Sequence, residues 1–132
     1  VPIAQIDVLE PGHLYGYGIC NVIPHIVKHN VPNCGWKIWL DGRKLFYCTD
    51  MNNLNGISAP NYDLYMVEAN YDDKEIQAKI AEKKLTGEYI YEKRVLRDHM
   101  SVAKVNDWLH ANMGPNSAYI YMHCHQDKEG ST

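Results

Sequence analysis

The sequence lacks any long apolar run, and no stretch approaches the roughly 20 consecutive apolar residues of a transmembrane helix. It also lacks a leader in which charged residues precede an apolar segment. Neither sign of charge is in large excess, because 13 Lys and Arg residues stand against 16 Asp and Glu residues, a slight acidic excess. This balance excludes a strongly basic, nucleic-acid-binding surface as a property of the whole chain. We therefore expect a soluble, cytoplasmic protein without membrane contact, and its 132 residues correspond to one small domain.

Cysteine pairs with CxxC spacing are also absent. The four cysteines, Cys20, Cys34, Cys48 and Cys124, could in principle form two disulfides. Three of them lie in apolar, strand-like segments, where a free cysteine behaves as a small hydrophobic residue. We predict reduced thiols rather than disulfides.

The first third of the chain has the residue pattern of β-strands. Aromatic and β-branched residues recur with a period of two over residues 15–27, where Pro24 indicates an edge or a bulge. The dipeptide Asp41-Gly42 lies between two β-rich runs, which is a strong signal for a two-residue turn. We predict a hairpin over residues 36–48.

The rest of the chain follows the order strand, helix, helix, strand. Strands are predicted over residues 63–69 and 118–122. Between them, Asp72 and Glu75 form a capping box at the start of one helix, and a second helix begins after Ser101. This order predicts a mixed α/β layered fold with two main helices.

Polar residues with metal-binding chemistry stand next to the ends of apolar strands or of a helix. They are His29, Asp50, His99 and His123. A strand packed in a sheet delivers its terminal side chain to one edge with little freedom, so ligands there are preorganised. Histidine and carboxylate suit a zinc ion that keeps an open position for water. The pattern therefore favours a metal site at one sheet edge.

Each of these residues has an ordinary structural interpretation when it is considered alone. A single histidine near a strand end is more often a surface or hydrogen-bonded residue than a ligand. Asp50 alone would most simply be a turn or cap residue, and Glu68 would be a solvated surface residue. The hypothesis of a site depends on their coincidence. The other histidines carry no motif: His13 and His25 fall in the strand region, His110 is interpreted as a surface residue, and His125 is a weaker alternative ligand.

Five segments resemble, in order, motifs of the metallo-β-lactamase superfamily, above all its RNase Z-like members and the small metallohydrolases of phages and Gram-positive bacteria. Residues 27–36 are similar to the third metal-ligand motif, and residues 46–50 to the fourth, in which a strand ends in an Asp that bridges two metals. Residues 67–71 resemble the acidic strand end that follows, residues 97–101 the His-x-Ser/Thr element that opens a helix, and residues 121–123 the final ligand strand.

The defining His-x-His-x-Asp-His motif of that family is not present in full. Its nearest match begins at His123, but Lys128 stands where the last histidine belongs. In the family this motif lies upstream, in the N-terminal half of an αββα sandwich. The resemblance therefore implies that residues 1–132 are the C-terminal portion of such a domain, and a start at Val1 inside an apparent strand agrees with that reading. The missing N-terminal half becomes the expected partner.

The resemblance also implies roles for individual residues. His29, Asp50 and His123 would bind metal, with Asp50 bridging two zinc ions, although manganese or iron also suit such ligands. His99 would protonate the leaving group, oriented by Glu68. The implied function is a phosphodiesterase or nuclease-like hydrolase that uses a zinc-activated water. With only three ligands, the chain alone is expected to bind zinc weakly and to be inactive.

Two other interpretations stay open. The chain could be a non-catalytic, metal-free domain of the same fold that acts through self-association or partner binding, since an uncovered apolar sheet face favours association. It could also be an unrelated small α/β binding domain. Within the enzyme hypothesis, nucleic acid, cyclic nucleotide, ester and thioester are all open as substrates.

Overall fold

The computed structural model describes residues 6–124, which form a six-stranded mixed sheet and three helices. The elements in chain order are β1 (Tyr15–Gly16), β2 (Cys20–Val27), β3 (Asn33–Leu40), β4 (Arg43–Cys48), β5 (Leu64–Glu68), α1 (Asp73–Thr86), α2 (Glu92–Asp98), α3 (Val102–Asn112) and β6 (Ala118–Met122). The predicted mixed α/β class is confirmed. The expectation of two main helices was incomplete, because α2 was not predicted. The start at Val1 and the alternative ligand His125 lie outside the described residues.

The strands stand in the sheet in their order along the chain, from β1 to β6. Strands β1 to β4 pair antiparallel, whereas β4 pairs parallel with β5, and β5 with β6. It follows that β2, β4, β5 and β6 all run in the same direction. Their carboxyl ends therefore lie at one edge of the sheet, which is called the carboxyl edge below.

The turn between β3 and β4 forms as its sequence predicts. Asp41 and Gly42 both have positive φ, 49° and 72°. This is the signature of a type I′ turn, whose twist matches that of the flanking strands. Trp36 pairs with Tyr47 across this hairpin, so the predicted hairpin over residues 36–48 is confirmed.

Helices α1 and α3 begin at side-chain caps that can be recognised in the sequence. The Asp72 carboxylate accepts hydrogen bonds from the backbone N–H groups of Lys74 and Glu75, at 2.9 and 3.0 Å. The Ser101 hydroxyl accepts one from the N–H of Lys104 at 3.2 Å. Both caps satisfy N–H groups that have no partner inside the helix.

Helix α2 is not stabilised by a side-chain cap as α1 and α3 are. Its N-cap, Tyr91, makes no side-chain capping bond. The helix is anchored instead by an ion pair with α1, in which the Lys83 ammonium lies 2.7 Å from a carboxylate oxygen of Glu92. Val95 is buried against α1 residues. Contacts with α1 rather than a capping signal therefore define this helix.

The two faces of the sheet are covered to different extents. One face is fully buried at Phe46, Tyr65 and Val67, and α3 packs there, with the Phe46 and Trp108 ring centroids 4.8 Å apart. The residues that alternate with them on the other face are apolar but only partly buried. They include Trp36, Ile38, Leu45, Tyr47, Leu64 and Met66. The sheet thus presents a second apolar face that the described chain covers less completely.

All four cysteines are free, and Cys48 is buried in the core. Within residues 6–124, no helix is long and apolar enough to cross a lipid bilayer.

Candidate metal centre

Four side chains with metal-binding chemistry converge at the carboxyl edge. Asp50, Glu68, His99 and His123 each offer one ligand atom, and these atoms all lie within 4.8 Å of one another. Asp50 stands two residues beyond β4, Glu68 ends β5, and His123 directly follows β6. Because β4, β5 and β6 are parallel neighbours, the topology of the sheet brings these three residues together.

The backbone is strained at two of the four positions. Asp50 has φ of 55° and His123 has φ of 50°. Residues other than glycine rarely adopt this left-handed conformation, which costs on the order of 1 kcal/mol. At both positions the strain occurs as the chain leaves a strand, and it accompanies a contact of 3.2 Å between Nδ1 of His123 and Oδ1 of Asp50. Strain retained in this way is characteristic of functional sites.

Glu68 is fully buried, and its carboxylate is held from several sides. Oε2 accepts a hydrogen bond from the Met51 N–H at 3.0 Å, and Oε1 accepts one from the Asn70 side-chain amide at 3.4 Å. Oε1 also contacts Nδ1 of His99. A buried carboxylate needs such partners, because its desolvation is otherwise very costly.

His99 reaches Glu68 through backbone pairing beyond the end of β5. The Asn70 N–H donates to the Met100 carbonyl, and the Val102 N–H donates to the Tyr71 carbonyl, both at 2.9 Å. Tyr71 and Ser101 form an isolated parallel bridge. The segment that joins α2 to α3 is thereby fixed alongside residues 70 and 71. This pairing holds the His99 imidazole next to Glu68. The carboxylate contacts Nδ1, so Nε2 is the ring nitrogen that it does not engage.

His29, which follows β2, lies beside the four-residue group rather than within it. Its ring centroid is 5.7 Å from that of His99. Its Nδ1 lies 3.2 Å from the Asp98 carbonyl oxygen, so Nε2 is the nitrogen left for another partner. A backbone carbonyl at Nδ1 is a common way to orient a metal-binding histidine. Because His29 lies outside the four-residue group, its predicted metal-binding role stays a prediction.

Asp98 supports His29 and is itself tied to a neighbour. The Arg97 guanidinium donates two hydrogen bonds to the Asp98 carboxylate, at 2.9 and 3.0 Å. The same guanidinium lowers the pKa of Asp98 below its ordinary value. The carboxylate is thus a stable anion at the end of α2, and its charge is neutralised locally.

The candidate metal centre opens into a cavity of about 270 Å³. The cavity is lined by His29, Asn30, Asp50, Tyr91, Arg94, Val95, Asp98, His99 and His123. A larger cavity of about 420 Å³ next to it shares Tyr91 and Val95 but is lined by none of the four converging side chains. The smaller cavity is therefore the one associated with the metal-binding chemistry.

The structure brings four of the five predicted site residues together, and it adds residues that the sequence pattern did not indicate. Arg94 and Asp98 enter the cavity from α2, which was not predicted, and Tyr91 enters it from the N-cap of that helix. Their spacing of three and then four residues is that of one helix face. That spacing is the signal by which they could have been found, once residues 92–98 are assigned as a helix.

The four converging residues carry donor types that transition-metal ions accept. Imidazole and carboxylate are typical ligands of zinc, and manganese or iron accept the same donors. Asp50 is partly exposed and His123 exposed, so an ion can reach them from solvent. Glu68 and His99 lie deeper, with exposed side-chain fractions of 0% and 18%.

No family model matches the sequence, and no curated protein matches it either. Among solved structures, the fold is similar to that of the metallo-beta-lactamase fold protein YhfI from Bacillus subtilis, with a TM-score of 0.64 and 16% sequence identity. The chain has a metallo-β-lactamase-like fold. The match covers 88% of this chain and 41% of the YhfI chain, so this chain spans less than half the length of that protein.

This similarity confirms the fold implied by the resemblance in the sequence. At 16% identity it concerns the fold alone. The RNase Z-like or phage-type assignment and the status of residues 1–132 as the C-terminal part of a domain stay predictions. The roles predicted for His29, Asp50, Glu68, His99 and His123 also stay predictions.

Proposed function

We propose that this chain provides part of the metal centre of a metal-dependent hydrolase that cleaves phosphodiesters, in the manner of a phosphodiesterase or nuclease. The observation that carries the proposal is the convergence of Asp50, Glu68, His99 and His123 at the carboxyl edge. The metallo-β-lactamase-like fold supports it, since the YhfI fold is named for a class of metal-dependent hydrolases. Fold alone does not determine function, so the proposal depends on the site.

Within this proposal, Asp50 and His123 hold metal together with His29. Asp50 and His123 are already in contact, at 3.2 Å, and both are accessible. His29 adds a third donor, with its ring oriented by the Asp98 carbonyl. The ions are two zinc ions in the complete site, with manganese or iron as alternatives. The chemistry that such ions supply is the acidification of water and the polarisation of a phosphodiester.

Glu68 and His99 act as a proton-transfer pair in the same proposal. Glu68 contacts Nδ1 of His99, which fixes the orientation of the ring. Nε2 of His99 then carries the proton that passes to the departing oxygen of the substrate. A proton donor placed in this way typically contributes about 100- to 10,000-fold to the rate.

The complete site requires a partner that carries the His-x-His-x-Asp-His motif. Catalytic zinc ions typically have about three protein ligands each, so His29, Asp50 and His123 do not suffice for two ions. The partly buried apolar face of the sheet, around Trp36 and Tyr47, offers a surface on which such a partner can dock. We therefore propose that the described chain alone binds zinc weakly and does not hydrolyse phosphodiesters.

A metal-free domain that acts through self-association is the second candidate. Exposed apolar side chains on the strands favour it, with Ile26 of β2 71% exposed and Ile120 of β6 50% exposed. Such residues become buried when two copies pair. In this case the histidines at the carboxyl edge would have no metal-binding role.

Metal content by elemental analysis tests these alternatives. The chain is measured as purified and after mixing with a candidate N-terminal half, and hydrolysis of bis-p-nitrophenyl phosphate is assayed in both samples. We expect about two zinc ions per complex, lost with His123→Ala but retained with His110→Ala, because His110 is an exposed residue of α3 outside the site. Absence of metal from both samples would leave self-association as the function to test, by measuring the mass of the chain in solution.

A further inference from the structure

One face of α2 lines the cavity of the candidate metal centre. Tyr91, Arg94 and Asp98 are separated by three and four residues, so they project from the same side of the helix. Lys93 and Arg97, the other basic residues of α2, do not line this cavity. Arg94 is therefore the basic residue that α2 presents to the site.

The Arg94 guanidinium has no ion-pair or hydrogen-bond partner among residues 6–124. The carboxylates nearby are engaged elsewhere, since Asp98 is bound by Arg97 and Asp50 contacts His123. On the neighbouring helix α1, Lys83 is paired with Glu92. An exposed arginine is ordinarily solvated, but this one is exposed inside the cavity that contains the candidate ligands.

We propose that Arg94 binds a phosphate oxygen of the substrate and so selects anionic phosphodiesters over neutral esters. The proposal rests on the hydrolase function proposed above and narrows its substrate class. Arginine suits this role because its planar fork of N–H donors matches two oxygens of a phosphate group. Asp98 and Arg97 neutralise each other next to it, so Arg94 is the unpaired positive charge at this wall of the cavity.

Binding of inorganic phosphate, followed by NMR, measures this role without any need for catalysis. The side-chain Nε–Hε signals of Arg94 and Arg97 are recorded during the titration at constant ionic strength. We expect a saturable shift of the Arg94 signal, whereas the Arg97 signal stays in place because its guanidinium is already bound to Asp98.

Three variants test the assignment. Arg94→Gln should weaken phosphate binding by roughly tenfold or more, because a charge-assisted, two-point contact is lost. Arg94→Lys should give an intermediate affinity, since the charge remains without the planar fork. Lys93→Gln removes the same charge from an exposed neighbour outside the cavity and should change the affinity by less than about twofold.

Unchanged binding in Arg94→Gln, or an equal loss in Lys93→Gln, would overturn the proposal. Acetate that binds more tightly than phosphate would overturn the choice of phosphate. The titrations are run with and without added zinc, and the difference between the Arg94 and Lys93 variants is read in both conditions. Absence of metal after mixing with a candidate N-terminal half would count against the hydrolase function, while the phosphate titration of the chain tests Arg94 separately.

Discussion

The antiparallel and parallel parts of the sheet differ in how they are connected and in what they carry. Strands β1 to β4 follow one another antiparallel, with a two-residue turn between β3 and β4. Strands β4 to β6 are parallel and require long crossovers, of which the last contains all three helices. Strands β4 to β6 contribute Asp50, Glu68 and His123 to the candidate site, whereas β1 to β3 contribute only His29, which follows β2.

This difference follows from strand direction. Successive antiparallel strands end at opposite edges, so only every second strand delivers a terminal side chain to the carboxyl edge. Parallel strands all end at the same edge, and their crossovers place helices and helix-joining segments above it. His99 and Arg94 come from such a crossover. Four substitutions probe the comparison, from the largest expected effect to the smallest.

Phe46→Ala should destabilise the antiparallel and the parallel parts of the sheet together. Phe46 lies on β4, which belongs to both, and its ring stacks on His25 of β2 and packs on Trp108 of α3, with centroid distances of 5.4 and 4.8 Å. The fully buried ring leaves a cavity, so we expect a loss of roughly 3–5 kcal/mol in the free energy of unfolding, measured by urea denaturation. Leu45→Ala on the other face is the control, and an equal or larger loss there would contradict the assignment of the core face.

His25 should make the antiparallel part sensitive to acid. Burial, with a smaller contribution from Lys37, lowers the pKa of His25 from 6.5 to about 4. Because the unfolded chain binds the proton more readily, the stability contributed by neutral His25 is present above pH 6.5 and is lost as the pH falls towards 4. The loss is on the order of 3 kcal/mol at complete protonation.

The measurement is urea denaturation of the native protein and of His25→Phe at pH 7 and at pH 4. The phenylalanine variant should lose less stability between the two pH values, because it has no imidazole to protonate. The same pH dependence in both proteins would assign the acid sensitivity to other groups.

His123→Ala should affect the candidate metal centre and leave the antiparallel part intact. Removal of a direct ligand should lower the zinc affinity by roughly 100-fold, at least as much as the loss of a residue that only supports a ligand. Competition with a zinc-binding dye measures it. His13→Ala is the matched control, since His13 is exposed and stands before β1. Similar losses in both variants would indicate non-specific binding by surface histidines.

Asp50→Gly should separate stability from metal binding. Glycine adopts the left-handed backbone without strain, so the free energy of unfolding should rise by about 0.5–1 kcal/mol while zinc affinity falls. Asp41→Gly, at a similar φ in the turn of the antiparallel part, should leave zinc affinity unchanged. A destabilised Asp50→Gly protein would mean that the carboxylate contributes more to the fold than its backbone strain costs.

Much of the antiparallel part could be predicted from the sequence because its signals are local. Asp41-Gly42 specifies the turn of one hairpin, and the period-two pattern specifies the neighbouring strands. Strand β6, at Ala118–Met122, has the predicted bounds. The positions of Asp50 and His123 at the carboxyl edge could also be predicted from the sequence, because each residue comes shortly after an apolar strand.

The parts that escaped prediction depend on contacts between distant residues. Helix α2 has no capping side chain and is seven residues long, and its anchor is the ion pair between Lys83 and Glu92. No local pattern specifies such a pair, and without α2 there was no reason to place Arg94 in the site. The position of His29 outside the four-residue group likewise depends on Asp98, 69 residues further along the chain.

Strand β6 ends the sheet, and within residues 6–124 its only strand neighbour is β5. Edge strands open more readily than central ones, and opening here requires no disruption of β1 to β5. We expect such an opening to carry His123 away from Asp50, so that the site would be assembled only in the closed fraction of molecules. An ion that binds the closed form therefore slows the exchange of the β6 amide hydrogens with solvent. The hydrogen-exchange rate of five residues, Ala118–Met122, becomes a measure of metal occupancy.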